Sequence, residues 1–335
     1  MLIVQSYPVS VAMCVVTMLC WGSWANTQKL ASRQWPFQLF YWDYSIGVLL
    51  LALLLAFTVG SHGESGRAFL PDLAQADSRW LGSAFMSGVI FNASNILLVA
   101  AIDVAGIAVA FPVGVGLALV LGVITTYRVT HSGNVAMLAV GVGLVVVAII
   151  LDALAYNRLA AASRRTPSRG IVLSAIAGIL MGGFYSFIAQ SMGAIEPVSG
   201  GLEAFKLSPY TALVLFSLGV FLSNFVWNSI AMAKPFTGPP VAYREYFQGG
   251  TRLHGVGILG GVIWNTGMAF NIIASSSAGA TLSYGLGQGA TMIGAVWGVF
   301  IWREFKGAPR GTGLLIGAMF VCYLLGLGVL IASRI

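Results

Sequence analysis

The stretch Gly88-Val89-Ile90-Phe91-Asn92 recurs as Gly261-Val262-Ile263-Trp264-Asn265, an offset of 173 residues (261 − 88). At the same offset Ala105-Gly106 answers to Ala278-Gly279, Phe111 to Tyr284, and Gly114-x-Gly116 to Gly287-x-Gly289. Each copy sets an amide beside an aromatic ring in the middle of a long apolar run. The chain therefore reads as a duplication. Its two copies, Asn92 and Asn265 foremost, are expected to face each other as walls of one central cavity.

Around that repeat the chain is apolar throughout. Of 335 residues, 58% are hydrophobic and 8% charged, which excludes an ordinary soluble domain and implies a polytopic membrane protein. A spanning helix needs about 20 apolar residues. By that ruler ten spans are expected, at about 8–31, 41–60, 80–102, 105–127, 134–152, 170–193, 209–232, 253–275, 279–301 and 311–332. Barrel strands would be about 10 residues long and would alternate apolar with polar. These runs do neither, so the expected class is an all-α membrane protein. The first run lacks a basic start and continues at spanning length, so it reads as a span rather than a cleaved leader. Cys14, Cys20 and Cys322 fall inside spans, which argues against a disulfide frame or a zinc cluster. No cofactor or metal motif is present.

The formal charge of +7 follows topology rather than nucleic-acid binding. Twelve Lys and Arg fall in the loops after spans 1, 3, 5, 7 and 9, against five on the other side. By the positive-inside rule the central loop is expected in the cytoplasm, with both termini outside a cell (inner) membrane. Residues 1–152 then form a first five-helix repeat, 153–169 a basic cytoplasmic linker and 170–335 the second repeat. Met181-Gly182-Gly183-Phe184-Tyr185 matches Trp21-Gly22-Ser23-Trp24-Ala25 at an offset of 160, and Tyr44-Ser45 matches Tyr210-Thr211 at 166. Five is odd, so two like-folded halves must be inverted in the membrane. That construction lets one half rock on the other around a midplane site, and it makes transport by alternating access the leading class.

The expected substrate contacts are Trp24, Asn26, Asn92, Asn95, Tyr185, Trp264, Asn265, Tyr284 and Gln288. Amides, phenols and flat rings suit a small neutral polar solute, a planar heterocycle or a sugar. Each has a plainer alternative: Trp24 as packing or interfacial anchor, and Asn92 and Asn95 as hydrogen bonds between helices. None of the ten acids falls at mid-depth in these spans, which argues against a cation exporter and leaves proton coupling without an obvious carrier. Asp43 is the first candidate, paired with Lys29 as gate or proton site, although a carboxylate in a helix's first turn is also favoured by the dipole alone. Glu196 is the next. Pro112, with Gly285 at the matching position, is expected to let its helix bend. Trp302 to Lys306 reads as interfacial anchor and surface charge, and 233–251 as ordinary connector. His62, His131 and His254 are scattered and no catalytic motif frames them, so no enzyme is expected.

Ten spans in a five-plus-five order, with tight hairpins between third and fourth helices, resemble the drug/metabolite transporter superfamily. Cys20 to Trp24, Tyr41-Trp42-Asp43-Tyr44-Ser45, Trp297-Gly298-Val299 and Arg303-Glu304-Phe305 resemble the ureide permease branch, whose neighbours are the bacterial glucose/ribose and rhamnose uptake families. The resemblance implies secondary transport of a ureide or oxo-heterocycle such as allantoin or uracil, usually proton-coupled, with a monosaccharide as the alternative. A receptor or scaffold is the non-transport alternative. Plant ureide permeases carry a phosphate-loop-like motif in a longer central loop; residues 153–169 have none, so regulation by ATP there is not implied. The internal repeat means that a monomer suffices. The expected partners are the solute, the lipid bilayer and protons.

Overall fold

A computed structural model describes residues 1–31, 34–63, 66–105, 107–159, 168–195 and 201–333. Glu196 and residues 160–167 of the linker lie outside the described residues, and so does the side chain of Pro112 within its helix. The order is α1 (Tyr7–Ser23), α2 (Ala25–Ala31), α3 (Phe37–Phe57), α4 (Phe69–Gln75), α5 (Ser78–Ala105), α6 (Ile107–Thr130) and α7 (Val135–Leu159). Then come α8 (Ser168–Ser191), α9 (Pro209–Ala233), α10 (Tyr243–Phe247), α11 (Thr251–Ala278), α12 (Ala280–Gly287), α13 (Ala290–Val296), a π turn (Trp297–Ile301) and α14 (Thr312–Ala332).

Among the described residues nine stretches are long and apolar enough to cross a membrane, α1 and α2 counting as one. Helices that are apolar on every face suit hydrocarbon, where each backbone group must find its partner within the segment. Local chemistry sets the ends. Ser208 caps α9, accepting from Thr211 N at 3.2 Å, with Pro209 at the first helical position. Gly279, at φ 88°, makes the hairpin from α11 into α12, a conformation that L side chains rarely adopt.

The ninth expected span, 279–301, is not one helix. It is α12, α13 and a π turn in series, interrupted at Gln288-Gly289. Gly285, Gly287 and Gly289 lie around the interruption, and glycine weakens a helix by about 1 kcal/mol per residue relative to alanine. Broken helices at membrane depth are tolerated where they line a cavity.

Burial is greatest along α3 and α11 and least along α1, α7 and α14, so the core is the packing of α3, α5, α9 and α11. Two crossings in it have the same composition. Where α5 meets α9, a Cβ on Gly88 would run into the Phe216 carbonyl oxygen and one on Gly219 into that of Phe85. Where α11 meets α3, a Cβ on Gly261 would run into the Tyr44 carbonyl and one on Gly47 into that of Ile258. Each crossing is then latched by an amide: Asn92 Nδ2 donates to Val220 O at 3.1 Å, and Asn265 Nδ2 to Val48 O at 2.7 Å. The offsets are 173 on one helix (261 − 88) and 172 on the other (219 − 47). This corrects the register of 166 read from Tyr44-Ser45, which rested on two residues. A second matched pair, Thr17 Oγ1 to Gly267 O at 2.9 Å and Ser94 Oγ to Ala177 O at 2.8 Å, agrees with 160 (177 − 17) and 173 (267 − 94).

One end of the bundle is fastened by a clasp between two loops. Arg67 pairs with Asp72 at 2.9 Å and donates to the carbonyls of Leu202, Glu203 and Lys206. Asp72 in turn accepts from Ser208 N at 2.7 Å, and Gln75 bonds both Lys206 O and Phe205 N. The opposite end carries Lys29, Arg158, Lys234, Arg244 and Arg252 and is called here the basic end.

The close crossings predict that Gly88→Val and Gly261→Val each lower the melting temperature of the detergent-purified protein, at a cost of about 1–3 kcal/mol for overpacking. Gly82→Ala, with open space around the added carbon, should leave it unchanged. Equal melting curves for all three would show that the crossings are not tight.

Candidate functional site

A cavity of about 410 Å³ lies between α1–α2, α5, α6, α7, α8, α11 and the broken segment. Aromatic side chains make its walls and hold one another in place. Trp21 stacks on Trp264 at 5.7 Å and donates Nε1–H to the Trp264 carbonyl at 3.1 Å. Phe91 lies 4.5 Å from Trp264 and 5.2 Å from Phe184, and Trp24 packs at 4.9 Å on Tyr44. Rings fixed by their neighbours present flat faces at little further loss of freedom.

Polar groups are few. Asn95 spends its amino group on Tyr41 Oη at 3.0 Å, and its carbonyl oxygen engages no described residue. Gln288 stands at the helix interruption with a side chain that bonds no described residue. Asn26 is fully used, donating to Ser23 O at 2.9 Å and accepting from Trp302 Nε1 at 2.7 Å. Tyr44 is wholly buried behind Trp24, and its hydroxyl has no partner among the described residues.

The mouth opens at the basic end. Lys29 Nζ binds Glu304 Oε1 at 2.8 Å and lies 4.1 Å over the Trp302 ring, while Tyr156 Oη donates to Glu304 Oε2 at 2.8 Å. Burial would raise the Glu304 carboxyl, but the hydrogen bonds from Lys29 and Tyr156 outweigh it and hold it below the usual carboxylate value. Asp152 also lines the cavity. Toward the clasp end the cavity is closed by a packed layer. Tyr185 Oη donates to Asn271 Oδ1 at 2.5 Å, Asn271 Nδ2 donates to Ser283 O at 2.7 Å, and Tyr284 Oη reaches Ala118 O at 3.0 Å. Asn271 stands seven residues past Trp264, about 10 Å along the helix.

Of the expected contacts, Trp24, Asn26, Asn95, Trp264 and Gln288 therefore line one cavity, and Lys29 lies at its mouth. Asn92, Asn265, Tyr185 and Tyr284 do not. The two asparagines face partner helices, because the glycine crossings bring a carbonyl within reach of each amide; the two tyrosines belong to the closing layer.

The expected Lys29–Asp43 pair is also corrected. Lys29 takes Glu304, and Asp43, 2% exposed, accepts from Tyr246 Oη at 2.7 Å and is paired with His254 Nδ1 at 2.9 Å. Gly257 admits α11 so close that an added Cβ would lie 2.5 Å from that of Asp43, which puts His254, one turn away, against the carboxylate. Tyr246 comes from the stretch read as ordinary connector, and burial followed by the Asp43 bond pushes its hydroxyl up. Trp302 and Glu304, read as interfacial anchor and surface charge, border the mouth instead.

Sequence reasoning missed Phe91, Phe184, Asp152 and Tyr156 as lining residues. Phe91 was legible, since it answers to Trp264 in the repeat.

The ureide permease family profile matches residues 40–171 and 169–333. Ureide permease 5 of Arabidopsis thaliana is 22% identical over 99% of this chain and 95% of its own length. Ureide permease 1 of the same plant is 21% identical over 99% of both. The probable glucose uptake protein GlcU of Bacillus cereus is 22% identical over 72% of this chain and 76% of its own. A solved crystal structure superposes with a TM-score of 0.58 at 14% identity, covering 98% of this chain and 99% of the other, a likeness of fold alone.

The geometry separates latch from lining. Asn92→Ala and Asn265→Ala remove interhelical bonds worth about 1–2 kcal/mol and should lower the ligand-free melting temperature, whereas Gln288→Ala should not. A destabilised Gln288→Ala beside unaffected asparagine variants would reverse the assignment.

Proposed function

The chain belongs to the ureide permease family, and from that membership and the chemistry of the cavity we propose that it carries a small neutral ureide or oxo-heterocycle, such as allantoin or uracil, across the membrane by alternating access. The observation that carries the reading is the aromatic cavity with the amide side chain of Gln288 and the side-chain carbonyl of Asn95 unengaged by any described residue. A planar solute with both N–H and C=O groups stacks on the rings and exchanges hydrogen bonds with the amides. Trp24, Trp264, Asn95 and Gln288 are the proposed contacts, Lys29–Glu304 the gate at the mouth, and Pro112 and Gly285 the points of bending.

The proposed architecture is two inverted five-helix halves, residues 1–152 and 170–335, joined by the linker 153–169. The twin glycine-and-asparagine crossings support it, because each half supplies the same pair of helices to the other. The broken segment 279–301 serves as the ninth of ten spans. The basic end is proposed to face the cytoplasm, so this conformation is open inward and fastened outside by the Arg67 clasp. Transport is proposed to be uptake driven by protons, by a protein for which one copy suffices.

A second reading, monosaccharide uptake, is favoured by the likeness to GlcU, which covers 72% of the chain; rings and amides also suit a sugar. The two separate in one experiment. A ligand that binds only the folded state raises the melting temperature with its concentration. Allantoin and uracil should do so for the purified protein and should exchange in counterflow through proteoliposomes, while glucose, ribose and rhamnose should do neither. Stabilisation and exchange by a sugar alone would transfer the protein to the second reading. Silence from all five would favour a receptor or scaffold.

A further inference from the structure

The cavity holds one acidic group that the reading above does not use. Most described carboxylates outside the mouth are committed. Asp43 faces His254 and Tyr246, Asp72 faces Arg67, Glu203 lies 3.4 Å from Lys206, and Glu245 and Asp77 accept from the backbone at Ala242 and Arg79. Within the cavity, Glu304 is held by Lys29 and Tyr156. Asp152 lines the same space and forms no hydrogen bond or ion pair with any described residue.

Among the described residues its surroundings offer no neutralising donor. Tyr156, one turn on along α7 and on the same face, gives its hydroxyl to Glu304. Tyr323 of α14, near enough for the Asp152 charge to act on it, gives its hydroxyl to Thr291. Glu304, beyond the π turn, is a like charge acting on Asp152. Lys29 of α2 is turned to Glu304 and Trp302. α6, the other helix packed on α7, carries no titratable residue between Ile107 and Thr126. A carboxylate so placed is accessible while the mouth is open. When the mouth closes over aromatic walls, an unpaired anion is expensive to enclose, and a proton removes the charge.

From this geometry we infer that Asp152 is the proton carrier of the transport cycle. The carboxylate binds one proton while the cavity faces the clasp end, crosses the occluded state as a neutral acid, and releases the proton through the mouth at the basic end. Nothing is oxidised or reduced, and one positive charge moves with each neutral solute. The inference rests on the reading of the cavity as a transport site, and it differs from the sequence-based candidates Asp43 and Glu196.

Two measurements test it. The first needs no substrate. Infrared difference spectra of the protein in lipid, taken on acidification, should show the carbonyl stretch of a protonated carboxyl group in the wild type. That band should vanish in Asp152→Asn and persist in Asp43→Asn and Glu304→Gln. A band that survives Asp152→Asn, or none in the wild type, overturns the inference. The second uses allantoin in proteoliposomes. A gradient of one pH unit supports about tenfold accumulation for one proton per solute. The wild type should reach that level, while Asp152→Asn should only equilibrate its solute. An Asp152→Asn protein that still concentrates allantoin overturns the inference. If the wild type fails to move allantoin at all, the proposed substrate is wrong, and the infrared band alone decides the carrier.

Discussion

The rest of the structure depends on backbone meeting backbone. At Gly88 with Gly219, and at Gly261 with Gly47, helices come so close that no side chain fits between them. In lipid there is no hydrophobic drive to press helices together, so small residues and interhelical hydrogen bonds must supply the contact. Asn92 and Asn265 add the hydrogen bond at each crossing, while their carbonyl oxygens have no partner among the described residues. Two tight crossings make a rigid centre. The bulky residues are displaced to its flank, and there, between α1, α5, α8 and α11, the aromatic cavity forms.

The cavity inherits its properties from that arrangement. Phe91 and Trp264 each stand one residue before a latching asparagine, so the helices that set the crossings also aim the rings. The interruption at Gln288 presents a side chain that no described residue claims. The two ends differ in kind. The clasp around Arg67 is mostly a guanidinium bonding to loop carbonyls, whereas the mouth is an ion pair whose Lys29 and Glu304 side chains are 47% and 31% exposed. Exposed pairs contribute little stability, about 0–1 kcal/mol, so the mouth is the more easily opened end.

Much of this was legible in the sequence. The repeat located both crossings, because glycine and asparagine at fixed spacing serve the same contact twice. Span lengths gave nine of the apolar stretches; the remaining one broke, since hydropathy averages over glycines that a helix feels individually. The roles of Asn92 and Asn265 were not legible. An amide beside a ring looks the same whether it faces a solute or a carbonyl, and only the approach of α9 or α3 decides. Long-range polar pairs were the other loss. Asp43 with His254 and Lys29 with Glu304 are separated by 211 and 275 residues, and no local pattern carries them. Asp152 was set aside as a span end, although the helix extends to Leu159 and places it along the cavity.

The central claim is that the cavity opens alternately at its two ends. It is tested most directly by pulsed electron resonance distances between spin labels, in a protein with Cys14, Cys20 and Cys322 replaced. One label pair, at the exposed Leu70 and Phe205, spans the clasp; another, at the exposed Leu30 and Asn157, spans the mouth. With allantoin and acid on the clasp side, the clasp distance should lengthen as the mouth distance shortens, in the same population of molecules. Distances that stay fixed, or that lengthen together, would contradict the account.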